Sequence, residues 1–379
     1  MEQARSAIGL SSSAFAVGST READLRCMLR HSRAKLMHAK SIGIFMVKGD
    51  GQMKHVVPAV RATATFDYKN AAAPIDAGNP TFPSFLPPQV QHLQDSAARA
   101  IASRIRRLPV QTSLTSNPIM TSCVKPRVIN KDLPPVLLLH GFDSSCLEWK
   151  NAYPRIEKAN IECWAFDILG WGFSYSENLS SVGVAAKREH LYEFWRSYIN
   201  RPMVLVGASL GGAAAIDFTL AHPEAVSKLV LVNAQGYAKG TGRKANFPKF
   251  MAYAGVFLLK NVLLRTYASL LIHHNISWAT LLDQTNVGRL HCLMPGWAKA
   301  SVDFMLSGGY NVASGICKIS KDTLVIWGEE DRIISKDVPQ RLKEDLPHAR
   351  LVFISNSGHL PHLEEPEAVA TLISEFCRT

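Results

Sequence analysis

From about residue 134 onward, short unbroken apolar runs alternate with longer helical stretches. The runs are "PPVLLLHG", "IECWAFDILGWG", "PMVLVGASLGG", "VSKLVLVNA", "DTLVIWGEEDR" and "ARLVFISNSGHL". A strand that is apolar on both faces must be covered on both faces. The alternation therefore predicts an α/β fold, a mostly parallel sheet with helices on either side. Two more short strands are expected in "LPVQTSL" and "NPIMTSCV", with a helical pattern over residues 89–107 before them. At 47% hydrophobic and 19% charged residues, the chain can bury a core of that size.

In an open sheet of this kind, sites form beyond the carboxyl ends of the strands. Four polar motifs directly follow an apolar run: "HGFDSS" at residues 140–145, "GASLGG" at 207–212, "GEEDR" at 328–332 and "SGHLPH" at 357–362. The Gly-Ala-Ser-Leu-Gly of residues 207–211 says little by itself, because Gly and Ser are common at turns. Its weight comes from the ordered set: Ser209, then Asp331, then His359, each after a different expected strand.

In that order and context the set resembles the α/β-hydrolase family, whose G-x-S-x-G nucleophile elbow precedes its acid and its histidine. The resemblance spans residues 105–379 and implies an α/β-hydrolase fold with a helical cap after the sixth strand. It implies Ser209 as nucleophile, His359 as proton carrier and Asp331 as the group that orients the imidazole. The backbone N–H groups of Phe142 and Leu210 become the oxyanion donors. No metal or cofactor is expected. Glu329 and Glu330 flank Asp331, but the family's acid is the fourth residue of a G-x-x-D turn. Some relatives place the acid after the preceding strand, where this chain has Asn233. His140 and His362 are expected to be structural, and Asp143 a hydrogen-bonding residue at a loop tip. Asp167, with the glycines of "DILGWGFS", is expected to be scaffold. Serine in the elbow, where dehalogenases and epoxide hydrolases carry Asp, disfavours those two chemistries.

Residues 236–316 are the expected cap, with residues 105–235 and 317–379 as the core. The cap holds "FPKFMAYAGVFLLKNVLLRTYASLLI", which points to a lipophilic substrate. Residues 250–259 form an apolar run too short to span a bilayer. Lys249, Lys260 and Arg265 beside it open the possibility of peripheral membrane contact through the cap. The plainer expectation packs these apolar residues on the pocket and on one another. Trp297, Met294, Phe304 and Met305 are candidates for the pocket lining.

The net charge of +11 is local. Residues 1–130 hold 17 Lys and Arg against 7 Asp and Glu, and the rest is nearly balanced, so no nucleic-acid surface is expected on the folded body. Residues 1–70 are rich in Ser, Ala and Arg, which reads as a transit peptide or a disordered basic tail, despite Glu2, Glu22 and Asp24. A linker and an N-terminal helix are expected over residues 71–104. Seven scattered cysteines show no zinc or redox spacing, and Cys146 and Cys163 read as small buried hydrophobes in a reducing compartment. The leader, the serine set and the apolar cap together resemble plant plastid hydrolases, a group that includes chlorophyll dephytylase and pheophytinase. The resemblance implies a chloroplast enzyme that cleaves a small lipophilic ester. C–C bond hydrolysis, cofactor-free peroxidation on the same residues, and a hydrolase-derived small-molecule receptor stay open.

Overall fold

Backbone hydrogen bonds join the strands into one sheet, and their alternate side chains face opposite layers. In the computed structural model, which describes residues 81–174 and 179–379, eight strands form this sheet. They are β1 (Ile105–Val110), β2 (Ile119–Val124), β3 (Val136–Leu139), β4 (Cys163–Phe166), β5 (Met203–Ala208), β6 (Val226–Val232), β7 (Thr323–Gly328) and β8 (Ala349–Ile354). Their order is β1-β2-β4-β3-β5-β6-β7-β8. β2 runs antiparallel to both neighbours, and the pairings from β4 to β8 are all parallel. The expected leader at residues 1–70 lies outside the described residues.

The two layers divide by strand parity. Leu137, Leu139, Leu205, Leu229 and Val325 pack with residues of helices on one face. Val136, Leu138, Val204, Val230 and Leu324 pack with helices on the other. The helices of six or more residues are α1 (Ser96–Ala102), α2 (Tyr153–Lys158), α3 (Val184–Phe194), α4 (Leu210–Ala221), α5 (Lys249–Leu259), α6 (Val262–Ile272), α7 (Trp278–Arg289), α8 (Trp297–Leu306), α9 (Val338–Asp345) and α10 (Pro366–Arg378). The first face receives α3, α4 and α9, and the second receives α1, α2 and α10. Cys146 and Cys163 are fully buried in this second layer.

The helix expected over residues 89–107 is shorter. A 3₁₀ turn covers Pro88–His92, the Asp95 carboxylate caps α1 through the Ala98 N–H, and Ile105 already pairs with Val124 of β2. Pairing with β2 overrides the local helical pattern there. The "QTSL" half of the expected first strand lies beyond Val110, outside β1.

Between β6 and β7, α5 packs against α8, and α6 against α7. α5 buries only Ala252 and Val256, and α6 buries no residue fully. The inward packing expected of these apolar residues is therefore absent from most of their surface: Phe250 and Phe257 are each 74% exposed and Leu263 is 79% exposed. The two helices meet at a 71° bend, and Ala252 and Val256, four residues apart on one face, are the buried residues of α5.

The tightest packing lies where β5 turns into α4. A Cβ on Gly207 would sit 2.2 Å from the Gly211 carbonyl oxygen, and one on Gly211 would sit 2.4 Å from that of His140. Helix and strand approach to a distance that no larger residue permits. Gly207→Ala is expected to lower stability by about 1–3 kcal/mol. Gly255→Ala, in open space on α5, should raise it by up to about 1 kcal/mol. Denaturant unfolding of the two variants checks this contrast, and shifts of the same sign would contradict it.

Candidate active site

Ser209 occupies the point of that turn. Its φ of 51° and ψ of −117° lie in a region that non-glycine residues rarely adopt. Holding a residue there costs on the order of 1–3 kcal/mol, and the surrounding contacts must supply it. The Ser209 N–H donates to Val232 O of β6 at 3.0 Å, and its carbonyl accepts from the N–H groups of Gly212 and Gln235. The side chain is thereby lifted off the sheet toward the loops that follow the other strands.

Two of those loops meet it. The His359 ring lies with Nε2 2.9 Å from Ser209 Oγ and Nδ1 2.9 Å from Asp331 Oδ2. The Asp331 carboxylate can only accept, so Nδ1 carries the proton and Nε2 is left to accept from the serine hydroxyl. Asp331 Oδ1 takes the N–H groups of Ile333 and Ile334, at 2.7 and 3.1 Å, and Oδ2 also accepts from Asn233 Nδ2 at 2.7 Å. Burial alone would raise the Asp331 pKa. The hydrogen bond and charge of His359, with the Asn233 and Ile333 donors, hold it below the usual carboxylate range. The structure thus brings Ser209, His359 and Asp331 together. Glu329 and Glu330 are exposed.

Asn233 is a residue that the sequence reading saw only as a missing acid. Its backbone is left-handed, with φ of 40°. Its Oδ1 accepts from the Gly328 N–H at 2.9 Å while Nδ2 holds Asp331, so one side chain ties the end of β6 to the turn after β7. A polar residue at the family's alternative acid position was the available signal.

After β3, His140 is fully buried, with Nδ1 donating to Gly141 O at 2.8 Å and Nε2 accepting from the Ile168 N–H at 3.0 Å. Burial lowers its pKa, in keeping with that neutral, structural arrangement. The Gly141 N–H is held by both oxygens of buried Glu148, at 3.0 and 3.1 Å. His362 Nε2 stands 3.3 Å from Glu148 Oε1, and its ring stacks on Trp149. His362 therefore acts two contacts away from the loop, and no sequence pattern marked Glu148. Among the described residues, the Phe142 and Leu210 N–H groups have no hydrogen-bond acceptor. Asp167 is scaffold: it accepts from Ser122 Oγ and from the N–H groups of Cys146 and Phe173.

Asp143, next to Phe142, is more than a loop tip. Its Oδ1 accepts from His291 Nε2 at 2.9 Å and from Trp297 Nε1 at 2.7 Å, and its Oδ2 accepts from Arg265 Nη2. All three donors come from the segment between β6 and β7. A second tie joins that segment to the histidine loop. The His359 N–H donates to Ile272 O at 2.8 Å, and Glu364 accepts from the N–H groups of both Gly358 and His274. Asp143, His291 and Cys292 have donor atoms close enough for a metal, within 4.8 Å of one another. The Arg265 guanidinium, 2.8 Å from Cys292 Sγ, already places a cation there.

A cavity of about 380 Å³ lies over Ser209 and His359. Leu264, Leu271, Ile272 and Val287 roof it, Phe142 and Ile333 flank it, and Glu148, Lys150 and Gln284 form a polar end. Lys150 is buried against Asp95 Oδ2 at 3.1 Å and Gln284 Oε1 at 2.7 Å. Trp297, Met294, Phe304 and Met305 do not line this cavity. Trp297 is spent on Asp143, and Phe304 packs on Trp171. Periodicity could not tell a helix's core face from its cavity face.

Asp143→Asn leaves Arg265 and His291 facing a neutral amide. The expected loss is about 3 kcal/mol, with faster amide hydrogen exchange in residues 262–272 and 290–297. Unchanged exchange in those segments would show that Asp143 does not hold them.

Residues 136–372 match the alpha/beta hydrolase family. The chain is similar to an alpha/beta hydrolase domain-containing protein of Arabidopsis thaliana, VTE7, with 50% identity over 304 residues, 80% of this chain and 92% of the relative. It is 27% identical over 263 residues to a 2-hydroxy-6-oxononadienedioate/2-hydroxy-6-oxononatrienedioate hydrolase of Burkholderia vietnamiensis, 64% of this chain and 86% of that protein. A solved esterase from Thermogutta terrifontis has the same fold, with a TM-score of 0.60 at 21% identity over 72% of this chain and 98% of the esterase chain. With residues 136–372 matched and half of the 304 aligned positions identical in the plant protein, the chain belongs to the alpha/beta hydrolase family, among relatives named as hydrolases.

Proposed function

We propose that the protein is a serine hydrolase that cleaves a lipophilic carboxylic ester through an acyl-enzyme intermediate. The observation that carries this reading is the unbroken hydrogen-bond chain from Asp331 through His359 to Ser209, set at the floor of a largely apolar cavity. Its parts have definite tasks. His359 Nε2 takes the hydroxyl proton as Ser209 Oγ attacks the acyl carbon, and Asp331 stabilises the imidazolium that forms. The free N–H groups of Phe142 and Leu210 receive the oxyanion, and each such donor is worth about 3 kcal/mol in the barrier. The imidazolium then returns its proton to the departing alcohol. Water, deprotonated by His359, hydrolyses the acyl-enzyme.

The cavity size suits a small or medium acyl group or alcohol, and its leucine-rich roof favours a hydrocarbon one. The Ser- and Arg-rich N-terminal segment and the plant relative support a plastid setting, which imaging of the full chain with a C-terminal fluorescent fusion would check.

C–C bond hydrolysis is the second reading, favoured by the relative named for that type of substrate. Turnover of a vinylogous diketone acid in preference to every ester would select it. Turnover of neither, with slow single modification of Ser209, would move the receptor reading forward.

The full chain treated with a fluorophosphonate should gain one adduct, absent from Ser209→Ala, and ester turnover should fall on the order of 10⁴-fold or more in that variant. Folded protein that gains no adduct contradicts the proposal. Asn233→Ala should lower kcat roughly 10–100-fold with KM nearly unchanged, because Asn233 positions Asp331 and does not line the cavity. A variant that changes KM alone would remove that role.

A further inference from the structure

The outer face of α5 and α6 is apolar, exposed and continuous with the cavity. Phe250, Phe257, Leu258, Leu263 and Tyr267 are each more than half exposed. Leu264 and Leu271 are both exposed, at 46% and 38%, and also line the cavity, so apolar surface runs from the outside of α6 to the space above Ser209. A patch of this kind on a folded protein marks an interaction site.

Charge identifies the partner. From Ala225 to Leu282 the chain contains no Asp or Glu, while Lys239, Arg243, Lys244, Lys249, Lys260 and Arg265 all fall in that interval. Arg265 is turned inward onto Asp143. The other five have no carboxylate partner among the described residues, and Lys239, Arg243, Lys244 and Lys249 are exposed. A segment that combines exposed aromatic and aliphatic side chains with Lys and Arg and carries no acid of its own complements a surface that is anionic at its head groups and apolar beneath.

Each helix is too short to span a bilayer by itself. Each has 11 residues, about 16 Å of helix, against a hydrocarbon thickness of about 30 Å. Among the described residues no single helix is long and apolar enough to cross a membrane, and the 71° bend keeps this pair from acting as one straight rod. We propose that the outer face of α5 and α6 docks on the surface of a bilayer containing anionic lipid, so that the cavity over Ser209 opens toward the hydrocarbon and takes its substrate from the bilayer. The second half of this statement rests on the ester-hydrolase reading, and the docking itself does not.

The test uses the full chain and two variants whose substituted side chains lie outside the cavity: Phe257→Glu with Leu263→Glu, and Lys249→Glu with Lys260→Glu. Co-sedimentation is measured with phosphatidylcholine vesicles, with and without phosphatidylglycerol. The wild-type chain should bind the anionic vesicles, less tightly as salt is raised, and each variant should bind at least about tenfold more weakly. The basic N-terminal segment is present in all three proteins, so equal binding by all three would assign vesicle binding elsewhere and overturn the proposal. So would a wild-type chain that binds no vesicles, or one that dimerises in the absence of lipid while the variants stay monomeric, which would make the face a contact between copies. Activity separates the two halves. Turnover of a water-soluble p-nitrophenyl ester should be the same in all three proteins, while an ester embedded in the vesicles should lose at least about tenfold with the variants. Vesicle binding with no ester turnover would leave the docking standing and remove the ester reading.

Discussion

Everything at this site depends on how closely α4 can approach β5 and the loop after β3. Gly207 and Gly211 leave backbone against backbone, and the turn between strand and helix is forced through Ser209 in a conformation that ordinary residues avoid. The strain is local and the restraint is not. The hydrogen bond that the Ser209 N–H donates to β6 and the one its carbonyl accepts from Gln235, with the packed layers on both sides of the sheet, over-determine the turn. A hydroxyl raised above the sheet on a rigid support meets His359 with little conformational freedom left to lose.

The second constraint is that the segment between β6 and β7 is fastened to the chemistry itself. Asp143 takes three of its side chains immediately beside the Phe142 N–H, and Ile272 and Glu364 brace the turn that carries His359. Movement of the roof would therefore be felt at the loop that carries Phe142 and at the imidazole together. The outer faces of α5 and α6 have no comparable anchoring, and their hydrocarbon is left uncovered. One element thus has a polar, tightly tied inner side and an apolar, open outer side.

The inner parallel strands β3 to β7 were legible because a strand covered on both faces is continuously apolar, whereas β8, at the sheet edge, buries only Ile354 fully and was marked by its apolar residues alone. Ser209, Asp331 and His359 were legible because each follows such a strand in a fixed order. The supporting groups were not. Asn233 was marked only by its position, and the partners of Asp143 act through contacts between residues far apart in the chain, while a buried acid such as Glu148 looks like any other acid in a sequence. The helix expected over residues 89–107 failed where pairing with β2 outweighed local preference, at Ile105. The residues between β6 and β7 differ from expectation for another reason: hydrophobic spacing gives the apolar face of a helix but not what covers it. Trp297 and Phe304 were spent on the interior, while Phe257 and Leu263 stayed outside.

The central claim is a covalent intermediate on Ser209. The most direct measurement mixes the full chain with a slowly deacylating p-nitrophenyl ester, quenches in acid and maps the modified peptide by mass. The account predicts a burst of about one equivalent of nitrophenol and an acyl mass on Ser209 that decays at the steady-state turnover rate. Turnover of the ester with no acyl mass on Ser209 at any time would contradict it.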